Sequence, residues 1–163
     1  MCGHTPVIGG DGGHRGKVSV IGAITVSPRT RLLGLRWGTR ADGYFDAAGV
    51  VGFLRCVLGS LPGKVVVVWD GGPNHKGPLI RAFLARNKRV WLERLPAYAP
   101  ELNPVEQVWG WLKYGQLANF VPDDLTQLDR KINDRLRRLS SNRQLLRSLW
   151  EGSDLPFPEK LRR

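Results

Sequence analysis

Asp70 stands directly behind Val65-Val66-Val67-Val68-Trp69, an apolar, β-branched run of strand length. A carboxylate at the carboxyl end of a buried strand sits in the crevice where open α/β sheets place their ligands. The loop behind it, Gly71-Gly72-Pro73-Asn74-His75-Lys76-Gly77, brings glycines, an amide, an imidazole and an ammonium group, a set compatible with a phosphate neighbour. An Asp before Gly-Gly is also common turn chemistry. Taken alone, Asp70 leaves both readings open.

Glu106 poses the same choice on a helix. Asn103 can cap a helix whose first residue is Pro104, and Glu106, three residues past the cap, completes a capping-box pattern in which the glutamate only bonds back to the cap's amide. At about 100° per residue, however, Glu106 falls about 110° from the centre of the apolar stripe of Val105, Val108, Trp109 and Leu112, at its border, where a side chain can face a crevice. Thirty-five residues separate the two carboxylates.

The chain is strongly basic, with 25 Lys and Arg against 14 Asp and Glu and a formal charge of +11, which favours a polyanionic partner, nucleic acid first. Between Gly12 and Ala41 there are six basic residues and no acidic one; between Arg130 and Arg147 there are seven against Asp134 alone. Solvated surface and phosphate-binding surface both fit such clusters. Arg135, Arg137 and Arg138, at the heart of the second, are the candidates for DNA contact.

These residues need elements to position them. Residues 1–16 hold six glycines and read as a loop. Val18 to Val26 alternates as a strand, Ser27-Pro28-Arg29-Thr30 punctuates it, and Leu32 to Trp37 returns as the second strand of a hairpin. Asp46 to Leu58 has helical spacing, ended by Pro62-Gly63. The Val65 run, apolar at every position, predicts a central strand covered on both faces. A helix begins at Pro78 with Leu79, Ile80, Phe83 and Leu84 on one face, and Val90 to Leu95 is a further strand. Residues 96–104, with three prolines, form a stiff connection to the Pro104 helix. A last long helix or helix pair carries Leu125, Leu128, Ile132, Leu136 and Leu139. The order predicts an α/β fold with a mixed sheet flanked by helices, in a single domain over 1–163 whose residues 121–163 form a helical carboxyl-terminal part.

Composition narrows the class further. At 163 residues and 42% hydrophobic, the chain is expected to fold around one core. Cys2 and Cys56 make no disulfide framework, and with three scattered histidines no zinc pattern. No run approaches the length of a membrane span and residues 1–20 lack the apolar core of a signal peptide, so the expected location is a reducing cytoplasm, away from membranes.

Taken together, WDGGPNHKG and, at this spacing, LPAYAPELNPVEQVWGWLKYGQLANF resemble the DDE-type transposases of bacterial insertion sequences related to the mariner elements, members of the ribonuclease H-like superfamily. The resemblance runs from about Lys17 to Phe120. It implies a ribonuclease H-like fold and a triad of carboxylates holding two Mg²⁺ (or Mn²⁺) ions, with Asp70 second and Glu106 third, because cleaving a phosphodiester requires stabilising both the attacking and the leaving oxygen. The implied activity is DNA strand cleavage and strand transfer, on element ends and target DNA. His75 falls where the family often has a histidine, and can contact a metal-bound phosphate or satisfy its loop; Lys76 lies beside it. Lys113, beyond Glu106 on the same helix, can reach a phosphate or remain solvated.

In the family the first Asp lies on a strand before the one at Val18–Val26. Upstream of Val18 this sequence offers only Asp11, among glycines. The expectation is a reading frame that begins after the first catalytic strand, completed by a homodimer partner or by a complementing amino-terminal chain. The alternative function is a non-catalytic remnant that binds DNA or complements another chain. A ribonuclease shares the metal chemistry, but the NPxExxW segment argues against it.

Overall fold

The computed structural model describes residues 16–70, 72 and 77–158. Strands β1 (Val18–Val26) and β2 (Leu33–Ala41) pair antiparallel, with Val18 opposite Ala41, Gly22 opposite Trp37 and Val26 opposite Leu33. The turn between them closes with Arg31 N–H donating to Ser27 O and Ser27 N–H to Leu32 O. β2 runs four residues past the expected Trp37. Its apolar alternation stops there, but the ladder to the buried start of β1 continues through Gly38, Thr39 and Arg40.

Helix α1 (Ala47–Gly59) follows, capped by Asp46, whose side chain accepts from Gly49 N–H at 2.8 Å. β3 (Val65–Trp69) and β4 (Val90–Arg94) pair in parallel, joined by α2 (Pro78–Arg86), which starts at Pro78 as the sequence predicts. A 3₁₀ turn (Pro100–Leu102) leads into α3 (Pro104–Gly110), and a π-helical turn (Trp111–Gln116) extends it. The chain ends in the helix pair α4 (Leu125–Ser141) and α5 (Arg143–Glu151), broken at Asn142, which accepts from Leu145 N–H and so caps α5.

Two apolar clusters replace the expected single core, and β1 divides them. Val18 and Val20 join Leu35, Val108 and Leu112 with the buried stripe Leu128, Ile132, Leu136 and Leu139 of α4. Ile21 points the other way, into Val50, Leu54, Trp69, Ile80 and Phe83. The first four residues of β1 are all buried, so β1 is the strand covered on both faces.

The sequence predicts that role for β3, and here the expectation is overturned. Along β3 the exposure alternates: Trp69 is buried, whereas Val66 and Val68 are 62% and 46% exposed, beside Trp91 of β4 at 66%. Helices α1 and α2 cover one face only. An all-apolar strand states that both faces tolerate apolar contact, not that both find it among the described residues. Leu79, expected on the buried face of α2, is exposed for the same reason, while Ile80 and Phe83 are buried.

Two polar devices tie the elements together. Trp37 Nε1 donates to Asn133 Oδ1 at 2.9 Å, and Asn133 Nδ2 donates to Thr39 Oγ1 and to Asp129, fastening α4 across β2. Phe157, beyond α5, packs edge-on to Trp150 and receives the guanidinium groups of Arg31 and Arg147 at 4.8 and 3.7 Å from its ring centre. The carboxyl-terminal segment is thereby pinned to the hairpin turn. No helix among the described residues is long and apolar enough to cross a membrane.

Candidate active site

Asp70 leaves β3 where the parallel ladder ends; Leu95 N–H donates to Trp69 O at 2.9 Å, the last rung before the strand exit. Its Oδ1 accepts from Gly72 N–H at 3.0 Å, and its Oδ2 is shielded from solvent. The turn reading of Asp70 is therefore true of one oxygen, Oδ1, at the carboxyl end of a strand. The two readings left open by the sequence are compatible.

For Glu106 the local alternative fails. Asn103 N–H donates to Pro100 O at 2.9 Å, so the amide that a capping box would give to the glutamate is already taken by the 3₁₀ turn. The Asn103 side chain accepts from Val105 N–H, and Glu106 N–H donates to the Asn103 backbone carbonyl. Asn103 caps the helix without the glutamate's help. Glu106 is half-buried with Oε1 shielded from solvent.

Both carboxylates hang from well-packed neighbours. Trp69, the residue before Asp70, is buried in the cluster that contains Ile21 of β1. Two residues past Glu106, Val108 is fully buried in the cluster that contains Val18 and Val20. β1 thus contributes Ile21 to the cluster of Trp69, and Val18 and Val20 to that of Val108.

The remaining candidates are dispersed. Lys113 lies in the π-helical turn, its ammonium 5.1 Å from the Tyr114 ring centre. Arg135 borders the buried stripe of α4 with Nε shielded and without a hydrogen-bond partner among the described residues; Arg137 is exposed; Arg138 is exposed and pairs with Asp134 at 3.1 Å. The three arginines do not share one face. His75, Lys76 and Asp11 lie outside the described residues.

Among the described residues no group of three or more His, Cys, Asp or Glu side chains is placed to hold a metal ion. Asp70 and Glu106 do offer hard carboxylate oxygens, one of each kept from water, a donor chemistry suited to Mg²⁺ or Mn²⁺.

The sequence reading passed over two features beside Glu106. One is the π turn, in which Leu117 N–H reaches back five residues to Leu112 O and the helix leaves α-helical phase. The other is Gly22, a glycine inside a β-branched strand, which lies under Trp109; a strand glycine often marks a close approach.

The α/β fold carries one carboxylate at the exit of β3 and another near the start of α3, and the comparisons give the family. Residues 2–129 match the DDE superfamily endonucleases, and the chain belongs to that family, whose members cleave DNA in transposition and generally use divalent metal ions. The catalytic domain of the Mos1 mariner transposase, a crystal structure, shares the fold: TM-score 0.52 at 18% identity, covering 82% of this chain and 74% of that one. The expected ribonuclease H-like architecture is thus observed; residues 1–15, where a strand before β1 would fall, lie outside the described residues. No curated protein matches the chain.

Proposed function

We propose that this chain carries the Asp70–Glu106 portion of a transposase catalytic centre for metal-dependent DNA strand cleavage and strand transfer. The observation that carries the reading is the state of Glu106: a half-buried carboxylate, three residues inside a helix start, that the helix cap does not use. In a member of this family, a half-buried carboxylate at this place in the NPVEQVW segment, separated by 35 residues from a strand-exit Asp, is accounted for by chemistry. Asp70 and Glu106 would hold the divalent ions, which supply charge stabilisation to the attacking and leaving oxygens of the phosphodiester. Asp70 contributes through Oδ2 while Oδ1 keeps its turn. His75, Lys76, Lys113, Arg135, Arg137 and Arg138 would contact the DNA backbone, which spans element ends and target.

A second reading has its own support. Two carboxylates do not hold both ions in the geometry of an in-line displacement, and the described residues gather no third. On that reading the chain binds DNA without cutting it, or completes another chain, including a second copy of itself. Nicking of supercoiled DNA in Mg²⁺ separates the two. The chain alone is expected to nick at trace level, and addition of an Asp-bearing amino-terminal region is expected to raise nicking in a manner abolished by Asp70→Ala. Robust nicking by the chain alone that survives Asp70→Ala would remove Asp70 from the site.

A further inference from the structure

Gly22 lies on the face of β1 that also presents Val18 and Val20, the face against which α3 packs. A Cβ at position 22 would fall 2.7 Å from Trp109 Cη2 and 3.0 Å from Cζ2, closer than side chains approach. The indole is not a yielding neighbour. It packs against the cluster around Val108 and Leu112, and no rotation of a flexible tip relieves the clash. Trp109 Nε1 is buried and has no hydrogen-bond partner among the described residues, so shape and not hydrogen bonding holds the ring. Trp109 is three residues after Glu106, and residues so spaced share one side of a helix.

We infer that the seat of Trp109 on Gly22 is the positioning device for Glu106: it sets the depth and rotation of α3 against β1, and with them the place of the carboxylate. The inference rests on the reading of Glu106 as a site carboxylate. Gly22 and Trp109 touch no reacting atom in this scheme. They act through the helix, where the backbone of β1 and the ring of Trp109 meet without an intervening side chain, which is why a glycine stands within a run of β-branched residues that otherwise favour a strand.

The test is a size exchange. Gly22→Ala adds a methyl group where Cη2 lies; Trp109→Phe removes the outer ring atoms; the double variant restores the fit. The Glu106 carboxyl ¹³C signal, assigned with Glu106→Gln, is followed without metal and then with Mn²⁺, beside thermal denaturation. Leu54→Ala, in the other apolar cluster, serves as a control that lowers stability without touching α3. Gly22→Ala and Trp109→Phe are each expected to move the Glu106 signal and to weaken Mn²⁺ binding about 10-fold or more, the size found when supporting partners of metal ligands are lost. The double variant is expected to return both, and Leu54→Ala to change neither.

If both single variants lower the melting temperature yet leave the Glu106 signal in place, or if a folded double variant fails to restore it, the inference is overturned. Should Gly22→Ala fail to fold, Trp109→Phe, which only removes atoms, decides alone. Mn²⁺ that leaves the wild-type Glu106 signal unbroadened would overturn the metal reading of the site, while the metal-free signal still judges the positioning.

Discussion

Asp70 holds a turn through Oδ1 and, in the proposed function, also serves the metal site, and substitution can part the two tasks. Asn keeps an acceptor for Gly72 N–H, whereas Ala does not. Asp70→Asn is expected to hold stability within about 0.5 kcal/mol while abolishing metal-dependent nicking, and Asp70→Ala to lose about 1 kcal/mol besides. Glu106 and Asn103 make the complementary pair. Asn103→Ala removes the helix cap and should cost about 1 kcal/mol, with activity falling only as far as the helix start loosens, whereas Glu106→Gln should leave the melting temperature nearly unchanged and remove activity. Denaturant titration read beside nicking checks both pairs. The place of Asp70 at a strand exit was legible in the sequence because such an exit announces itself by composition. The choice between the two readings of Glu106 was not, because it turned on whether Pro100 O or the glutamate took the Asn103 amide, and one hydrogen bond leaves no compositional trace.

Elements were read well where periodicity and punctuation agree: the hairpin, the Asp46-capped helix, the Pro78 and Pro104 helix starts and the α4 stripe stand close to where the sequence places them. They were misread where the outcome depends on what covers a surface. Periodicity gives the faces of β3 but not the number of layers over them, and a π turn is one extra residue per turn in a helix of ordinary composition. The junction of α4 with β2 is another feature without a sequence signal, since Asn133 looks like any polar residue on a charged helix. It gives Trp37 Nε1 its acceptor and spans to Thr39 and Asp129. Asn133→Ala is expected to destabilise by about 1–3 kcal/mol by leaving those groups unsatisfied, and a double-mutant cycle with Trp37→Phe should recover part of the loss.

For the molecule as a whole, a formal charge of +11 and basic residues dispersed over several elements point to binding governed by counterion release. Affinity for DNA should fall linearly with salt on logarithmic axes, with a slope near −0.9 per phosphate engaged and little dependence on sequence. The arginines of α4 should contribute unequally. Arg137, exposed and without an acidic partner among the described residues, is expected to reduce the slope by about one when reversed to Glu; Arg138, already paired with Asp134, by less; Arg135→Glu, at the border of the packed stripe, should register mainly as lost stability. Equal effects from all three, by fluorescence anisotropy at several salt concentrations, would contradict this division.

The uncovered face of β3 and β4 has an optical consequence. Of the six tryptophans, Trp91 alone is exposed, standing over Val66 with its Nε1 directed to Glu93. Its emission is expected to lie to the red of the other five and to be quenched by dissolved iodide, an anion that a basic surface concentrates. Trp91 thus serves as a built-in lamp on an apolar sheet face left to water among the described residues, and whatever comes to lie on that face is expected to shift its colour toward the blue and shelter it from the quencher.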